Sequence, residues 1–221
     1  MDAALAGKEW PLGDDFFARA RSRLTLDVPP ALNDLTAQAT RGDLDLDPSV
    51  WERAGVAATR PAAVLVAVID RAEPTVLLTQ RNANLASHAG QIAFPGGAID
   101  PVDRSPVAAA LREAQEEIGL DPGLVDPIGH LDLYLTFSGF RILPTVARVD
   151  PAYRIVLNRT EVDEAFEVPL AFLMDAQNHA LHSRDWKGVI RHYYAMAFPQ
   201  RYIWGVTAGI LRNLYERVYL A

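Results

Sequence analysis

The chain contains no cysteine among its 221 residues. A disulfide and a thiol nucleophile are therefore both excluded, and this composition is typical of a reducing cytoplasm, where we expect the protein to act. No stretch approaches the roughly 20 consecutive apolar residues that a membrane helix requires, so we expect no membrane partner. The first residues lack a basic segment followed by an apolar run, which predicts that no signal peptide is present.

Basic residues are outnumbered by acidic ones. The chain has 21 Lys and Arg against 28 Asp and Glu, for a net charge of −7. Non-specific nucleic-acid binding depends on neutralising many phosphates with basic side chains, so we expect no nucleic-acid partner. A small phosphorylated ligand remains compatible with this charge, because a bound metal ion reverses the local potential. Apolar residues make up 50% of the chain, which is enough to build a core.

The segment from Ser105 to Gly119 has the start and stop signals of a helix. Ser105 can cap the N-terminus and Pro106 suits the first helical position, where no amide bond is lost. Gly119 can end the helix in a left-handed conformation, and Pro122 follows soon after. Helical spacing then predicts an apolar stripe for packing on the core, formed by Val107, Ala110, Leu111, Ala114 and Ile118.

Three glutamates lie on this predicted helix. The spacing of Glu113, Glu116 and Glu117 puts their carboxylates on one patch, where they repel one another without a partner. The obvious partner is a hard divalent cation such as Mg²⁺, with Mn²⁺ as an alternative, since such ions take oxygen ligands and bridge carboxylates to phosphates. The alternative interpretation of the three glutamates is a helix face exposed to solvent, which is the common case for an isolated pattern of this kind.

The segment resembles the signature of the Nudix hydrolases. That signature has a glycine, five residues, a glutamate and seven residues before Arg-Glu, an aliphatic, any residue, Glu-Glu, any residue, Gly and an aliphatic; Arg112–Leu120 fits its second half. In the first half, counted from Gly97, the chain is one residue longer. An aspartate, Asp103 or by another placement Asp100, stands where the first glutamate is expected.

The preceding residues resemble the additional signature of the coenzyme A pyrophosphatase branch of this family. Leu77–Arg81 and Phe94–Gly97 carry that resemblance, and this branch also has the one-residue longer box. Asn82 departs from the usual Ser or Ala, and Ala86 stands where some members have Arg. Ile203–Ala208 is similar to a C-terminal feature of the same branch.

The resemblance implies that the protein is an enzyme, a hydrolase of phosphoric anhydrides. Its expected substrate is coenzyme A or a derivative, cleaved to 3′,5′-ADP and (acyl-)4′-phosphopantetheine. It implies metal ligation by Glu113, Glu116 and Glu117, with the Gly97 carbonyl as a further oxygen. Arg112 is expected to orient this cluster by pairing with a carboxylate. The general base is either one of these glutamates or a later one, with Glu161 as the leading candidate.

Substrate contacts are expected from four residues. Arg81 and Arg141 are candidates for a substrate phosphate, because a guanidinium binds phosphate through two parallel donors. Gly96 and Gly97 can bring backbone close to a ligand, since neither has a side chain. For Arg81 alone, an ion pair at a strand end is the competing interpretation. Separately from these contacts, Glu164 is the second candidate for the general base, after Glu161.

Two other functions remain open. One is a broader nucleotide pyrophosphatase acting on ADP-ribose or NADH, and the other is a non-catalytic nucleotide-binding module. The sequence also leaves the oligomeric state open, a homodimer included.

The order of elements predicts an α/β fold with a mixed β-sheet sandwiched between helices, which is also the fold that the resemblance implies. Residues 1–58 are expected to form an N-terminal helical arm packed on the Nudix hydrolase domain of residues 59–221. The arm should contain helices at 14–24 and 31–39. In the domain we expect strands at 62–69, 75–79, 130–135 (with one wet face), 142–149 (an edge or bulge at Pro144), 165–168 and 191–198, and helices at 169–175 and 203–219.

Overall fold

A computed structural model describes residues 14–34, 41–42, 46, 60–186 and 188–220. Its helices are α1 (Asp14–Arg23), α2 (Pro106–Ile118), α3 (Leu170–Leu173) and α4 (Val206–Tyr215), which continues as a π-helical turn over Glu216–Leu220. Its strands are β1 (Arg41–Gly42), β2 (Arg60–Ile69), β3 (Thr75–Arg81), β4 (Ile92–Ala93), β5 (Gly96–Ala98), β6 (Val125–His130), β7 (Tyr134–Leu135), β8 (Phe140–Val149), β9 (Val162–Pro169), β10 (Ala180–Trp186), β11 (Val189–Phe198) and β12 (Arg201–Trp204).

Among the described residues, strands β1 to β9 form one mixed sheet, and β10 to β12 form a separate antiparallel sheet. Strands β2 and β8 pair in parallel along their whole length, from Arg60↔Phe140 to Ile69↔Val149. Strand β9 pairs antiparallel with β3, on the side of β3 opposite to β2. The centre of the sheet is therefore built from segments that lie far apart in the sequence.

A fork between β2 and β3 creates the place for the glycine segment. The two strands pair only at Val68↔Val76 and Ile69↔Thr75, next to their connecting turn. Beyond that point β5 pairs with β2, with Gly97 opposite Ala63, while β4 pairs with β3. The chain from 92 to 98 thus fills the fork and leads directly towards α2.

The two faces of the large sheet are covered by different helices. On one face, alternate β2 side chains such as Leu65 pack against α2 in a buried cluster. On the other face, their neighbours such as Val66 join a larger cluster with α1, α4 and the small sheet. This arrangement confirms the predicted α/β fold with a mixed sheet between helices. No helix in the described part of the chain has the length and apolar character needed to cross a membrane.

The described part of the N-terminal region packs on the domain. Helix α1 matches the helix expected at 14–24, and Phe16 and Ala20 are fully buried in the larger cluster. The helix expected at 31–39 is represented by a single 3₁₀ turn, Pro30–Leu32, and residues 35–39 lie outside the described ranges. Much of the arm predicted at 1–58 also lies outside them.

Two of the predicted elements are wrong in detail. The strand expected at 130–135 is interrupted between β6 and β7, and its supposed wet face is buried at His130 and Tyr134. The helix expected from Ile203 begins only at Val206, because Gly205 adopts a φ of 63° after strand β12. The predicted apolar face of that helix is confirmed, since Ile210, Leu214 and Val218 are buried.

Pro144 lies inside the sheet rather than at its edge. Strand β8 pairs with β2 on one side, while β6 and β7 pair with it on the other and leave a gap opposite Pro144. The Pro144 carbonyl accepts a hydrogen bond from the Leu131 amide on that gapped side. The N–H and C=O groups of one strand residue point to the same side of the strand. At Pro144 the missing N–H therefore faces the gap between β6 and β7, where no ladder hydrogen bond is lost.

Candidate active site

Helix α2 has the capping structure that its sequence predicts. The Ser105 hydroxyl accepts from the Ala108 amide at 3.1 Å, and Pro106 occupies the first turn. Gly119 ends the helix at φ 68°, where a residue with a side chain is strained. Ala114 and Ile118 are fully buried against the sheet, so the helix is fixed along its whole length.

The two glycines of β5 let the backbone approach the glutamates. Gly96 has a φ of 153°, and a Cβ there would lie 2.5 Å from the Ala63 carbonyl oxygen, closer than such atoms approach. Its amide donates to the Glu117 carboxylate at 3.3 Å. A Cβ on Gly97 would lie 2.6 Å from the Glu113 carboxyl group. The glycines therefore place main chain directly beside two of the three glutamates.

Glu117 is the most buried of the three, with 3% of its surface exposed. Burial raises the pKa of Glu117 to about 7, and the nearby charges of Glu113 and Glu161 add to the rise. The Gly96 amide and the Arg81 guanidinium oppose that rise without cancelling it. The sequence pattern placed Glu117 off the apolar stripe, and its burial comes from the glycine strand that covers it.

Glu113 and Glu116 are held by Arg112. The Arg112 guanidinium lies 3.0 Å from Glu113 and 3.1 Å from Glu116, and it makes two further 3.0 Å hydrogen bonds to Asp103. Hydrogen bonding to Arg112 lowers the pKa of Asp103, while burial raises the pKa of Glu113. Arg112 therefore contacts two of the three helix glutamates, and its orienting role stays a prediction. Asp103 is the acidic partner of that arginine, and the more exposed Asp100 lies 3.8 Å from it.

Glu161 comes close to the helix from the start of β9. Its charge contributes to the raised pKa of both Glu113 and Glu117, so the three carboxylates share one electrostatic environment. Asn158 donates to the Glu161 carboxylate at 3.1 Å through its side-chain amide. The Asn158 main-chain amide donates to the Glu117 carbonyl at 2.9 Å, which ties this loop to the end of α2. Glu164, the second candidate base, instead pairs with Arg201 at 2.5 Å.

The two candidate substrate arginines lie in different surroundings. Arg81 ends β3 with its guanidinium 3.7 Å from the Glu117 carboxylate, inside the proposed site. Arg141 is buried, and its guanidinium donates to the Ala31 carbonyl at 2.7 Å and to the Asp34 carbonyl at 3.3 Å. The expectation that Arg141 contacts substrate is corrected by this placement, because the side chain anchors the N-terminal segment.

The donors near α2 suit a hard divalent cation by their chemistry. Within the described ranges, no three His, Asp or Glu side chains are arranged to hold an ion as they stand. Arginine side chains contact these carboxylates instead, and Arg112 contacts both Glu113 and Glu116. Yet Glu117 is a buried carboxylate whose negative charge is poorly compensated, and all nearby donors are oxygens, which Mg²⁺ prefers. These residues therefore fit the expected metal, provided that the metal replaces the arginine contacts.

Asn158 is a site residue that the sequence reading did not identify. Its only signal is a position three residues before Glu161, in a loop without helical or strand periodicity. The contact depends on a turn whose geometry is set by hydrogen bonds from Thr160 to the Asn158 side chain.

Comparison with known proteins identifies the family. The model of the NUDIX domain matches residues 59–187. A protein of Cronobacter sakazakii named "Uncharacterized Nudix hydrolase NudL" is 44% identical over 163 residues, which cover 70% of this chain and 81% of that protein. A protein of the same name from Pectobacterium atrosepticum is 40% identical over 187 residues, covering 85% and 96% respectively. A solved Nudix hydrolase from Alicyclobacillus acidocaldarius has 21% identity and a TM-score of 0.44, covering 71% of this chain and 90% of its own.

The family match includes the glycine strand, the acidic helix and the Glu161 loop. It thus spans the elements that bring the carboxylates together, and the relatives cover most of the chain. The chain belongs to the Nudix family and is a hydrolase of pyrophosphate bonds in nucleoside diphosphate-linked compounds.

Proposed function

We propose that the enzyme hydrolyses the diphosphate of coenzyme A or its acyl derivatives to 3′,5′-ADP and (acyl-)4′-phosphopantetheine. One observation carries the substrate choice: the segment that resembles the coenzyme A branch folds beside the glutamates. Its Leu77–Arg81 part is strand β3 and its Phe94–Gly97 part enters the fork between β2 and β3. This placement brings Arg81 to 3.7 Å from Glu117.

The metal in this proposal is Mg²⁺, with Mn²⁺ as an alternative, held by Glu113, Glu116, Glu117 and the Gly97 carbonyl. When bound, it lowers the pKa of the attacking water and offsets charge on the diphosphate. Arg112 stays with Asp103 and so keeps the helix face oriented. Burial of Glu117 removes water from one side of the site, which strengthens its attraction for a cation.

Glu161 is the proposed general base. Water attacks one phosphorus, the bond to the bridging oxygen breaks, and the Glu161 carboxylate takes the proton of the water. The Asn158 amide orients that carboxylate through the 3.1 Å hydrogen bond. The Glu161 charge adds to the raised pKa of Glu113 and of Glu117, which supports a position that faces the same ligand.

The pair Glu161 and Glu164 offers a matched test of this role. Glu161→Gln should lower kcat by about 10²–10⁴-fold, the usual contribution of a positioned base. Glu164→Gln should leave kcat within a few-fold, because Glu164 is already paired with Arg201. Steady-state kinetics on both purified variants decide the matter. Equal losses in the two would remove Glu161 from the mechanism.

The substrate itself is tested by product identification. Purified protein with Mg²⁺ is incubated with coenzyme A, acetyl-coenzyme A, ADP-ribose and NADH, and products are identified by mass spectrometry. We expect phosphopantetheine species and 3′,5′-ADP from the coenzyme A compounds, with little from the others. Preferential cleavage of ADP-ribose or NADH would reject the coenzyme A assignment and leave the broader pyrophosphatase. Nucleotide binding without turnover under any divalent ion would indicate the non-catalytic module.

Three partner and location predictions accompany this proposal. We expect a cytoplasmic location, a small nucleotide-like substrate, and neither a nucleic-acid nor a membrane partner. The acidic composition supports the absence of a nucleic-acid partner, and the absence of cysteine supports the location.

A further inference from the structure

The three helix glutamates are held by two arginines that differ sharply in how well they are paired. Arg112 bonds to Asp103, Glu113 and Glu116 and to the Ala98 carbonyl. Among the residues that the structure describes, Arg81 makes one ion contact, 3.7 Å long, to Glu117. That distance exceeds a hydrogen bond, so the contact is mainly electrostatic.

Arg81 has unused hydrogen-bonding capacity. A guanidinium carries five N–H donors, and the Arg81 Nε is buried without a hydrogen-bond partner. Leaving a buried charged donor unpaired costs stability, so a rotation that pairs it would be favourable. The main chain at Arg81 is fixed by hydrogen bonds, from its amide to the Gln91 carbonyl at 2.9 Å and from the Gly90 amide to its carbonyl at 3.1 Å. Only the side chain is free to move.

We propose that Arg81 is a stand-in cation, which compensates Glu117 until a divalent ion binds and then turns to the adenosine-side phosphate of the substrate diphosphate, which 3′,5′-ADP retains as its 5′-phosphate. This rests on the proposed function for the metal and for the anionic substrate. The metal and the guanidinium are both attracted to the Glu117 carboxylate, so each weakens binding of the other there. Within the described part of the chain, Arg81 is the cation that forms an ion pair with Glu117, at 3.7 Å.

The consequence is an order of binding. With a metal bound at Glu117, the Arg81 guanidinium would be repelled from that carboxylate, and its fork geometry would then suit a phosphate. Arg81 is available to the substrate only after the metal site is filled. Metal and anion therefore strengthen one another's binding, and by thermodynamic linkage that coupling is equal in both directions.

The competition is measurable with the metal alone. Titration calorimetry with Mn²⁺ compares wild type, Arg81→Met and Arg159→Met. The methionine keeps an apolar stem and removes the charge, and Arg159 is a matched arginine in the Glu161 loop whose guanidinium donates to the Asp163 carbonyl. We expect Mn²⁺ to bind about fivefold more tightly to Arg81→Met, the effect of losing one partly exposed ion pair. Arg159→Met should stay within about twofold of wild type.

A second titration tests whether Arg81 is released from Glu117 to the substrate. With Mn²⁺ present, 3′,5′-ADP should bind Arg81→Met at least about fivefold more weakly than wild type, although the metal itself binds better. Thermal unfolding of each variant verifies that it is folded.

The outcomes separate the inference from the function on which it rests. Unchanged or weaker Mn²⁺ binding in Arg81→Met overturns the stand-in role, while the metal assignment stands. Equal affinity of wild type and Arg81→Met for 3′,5′-ADP overturns the release to the substrate. Absence of Mn²⁺ binding in the wild type overturns the metal assignment and the inference together.

Discussion

Strands β3 and β9 run side by side, and a buried or half-buried glutamate lies at each end of the pair. At one end, Glu167 accepts from Arg71 at 2.8 and 3.0 Å, from Tyr153 at 2.8 Å, and from Thr75. Hydrogen bonding to Arg71 is the largest cause that lowers the pKa of Glu167 to about 2. At the other end, burial raises the pKa of Glu117 to about 7.

The difference shows that hydrogen bonding, rather than burial, decides whether a carboxylate stabilises the fold. Glu167 has a donor for each oxygen, so its charge is favoured in the folded state. Of the described residues, one amide and one distant guanidinium face the Glu117 carboxylate, so its charge is disfavoured until another cation arrives. The first end is built for stability, and the second keeps binding capacity for a ligand at a cost in stability.

The largest effect is expected from a substitution at the Glu117 end of the strand pair alone. Glu117→Gln keeps the shape of the side chain and an acceptor for the Gly96 amide but removes the charge. We expect turnover to fall on the order of 10³-fold, because a metal ligand is lost. The melting temperature of the metal-free protein should not fall, since a buried charge that is costly to desolvate is removed and its contact to Arg81 is only a weak one at 3.7 Å. Kinetics and thermal unfolding on the same preparation test both parts, and normal activity would reject the metal assignment.

The next effect concerns the backbone that supports Glu117. Gly96→Ala should destabilise the protein by about 2–3 kcal/mol, because its Cβ would meet the main chain at Ala63 and because its positive φ strains an alanine. Gly97→Ala is the matched control: the three atoms nearest to its Cβ would all belong to the Glu113 carboxyl end, which can move. Urea denaturation should show a small loss for Gly97→Ala, with activity reduced. Equal stability losses would contradict the assigned difference between the glycines.

The smallest effect concerns the structural end and depends on pH. Because the pKa of Glu167 is lower in the folded state, its charge stabilises the protein above pH 4.5, and that stabilisation disappears as the pH falls towards about 2. Glu167→Gln should lower the free energy of unfolding by on the order of 1 kcal/mol at pH 7, allowing for solvent screening, and by little near pH 2. Turnover should be unchanged.

The control for that measurement is Asp126→Asn, in an exposed pair with Arg21. Its effect on the free energy of unfolding should stay within about 0.5 kcal/mol at every pH. A pH-independent loss in Glu167→Gln would mean that packing, rather than charge, stabilises this end of the sheet.

Local signals in the sequence predicted the acidic helix well. Ser105, Pro106 and Gly119 act through contacts within a few residues, so the sequence around them specifies both ends of α2. The continuous apolar run of residues 62–69 and the turn after it likewise predicted strands β2 and β3. The fold class and the family followed from these local patterns together.

Features that depend on distant contacts were missed. Burial of Glu117 arises from Gly96, which is 21 residues away, and the role of Asn158 arises from a loop that returns to α2. Arg141 was expected at the substrate because guanidinium groups bind phosphate, yet its partners are carbonyls more than 100 residues earlier in the chain. None of these pairings has a periodic signature.

The parallel pairing of β2 with β8 also determines when the site can form. These strands are 80 residues apart in the sequence, and β3 must wait for β9 at a similar separation. Such non-local contacts slow folding, because the entropy of closing a long loop is lost before any contact compensates it. A chain growing on the ribosome therefore cannot complete its central sheet until residue 169 has emerged. Until then, the acidic helix has no finished surface on which to bury Glu117.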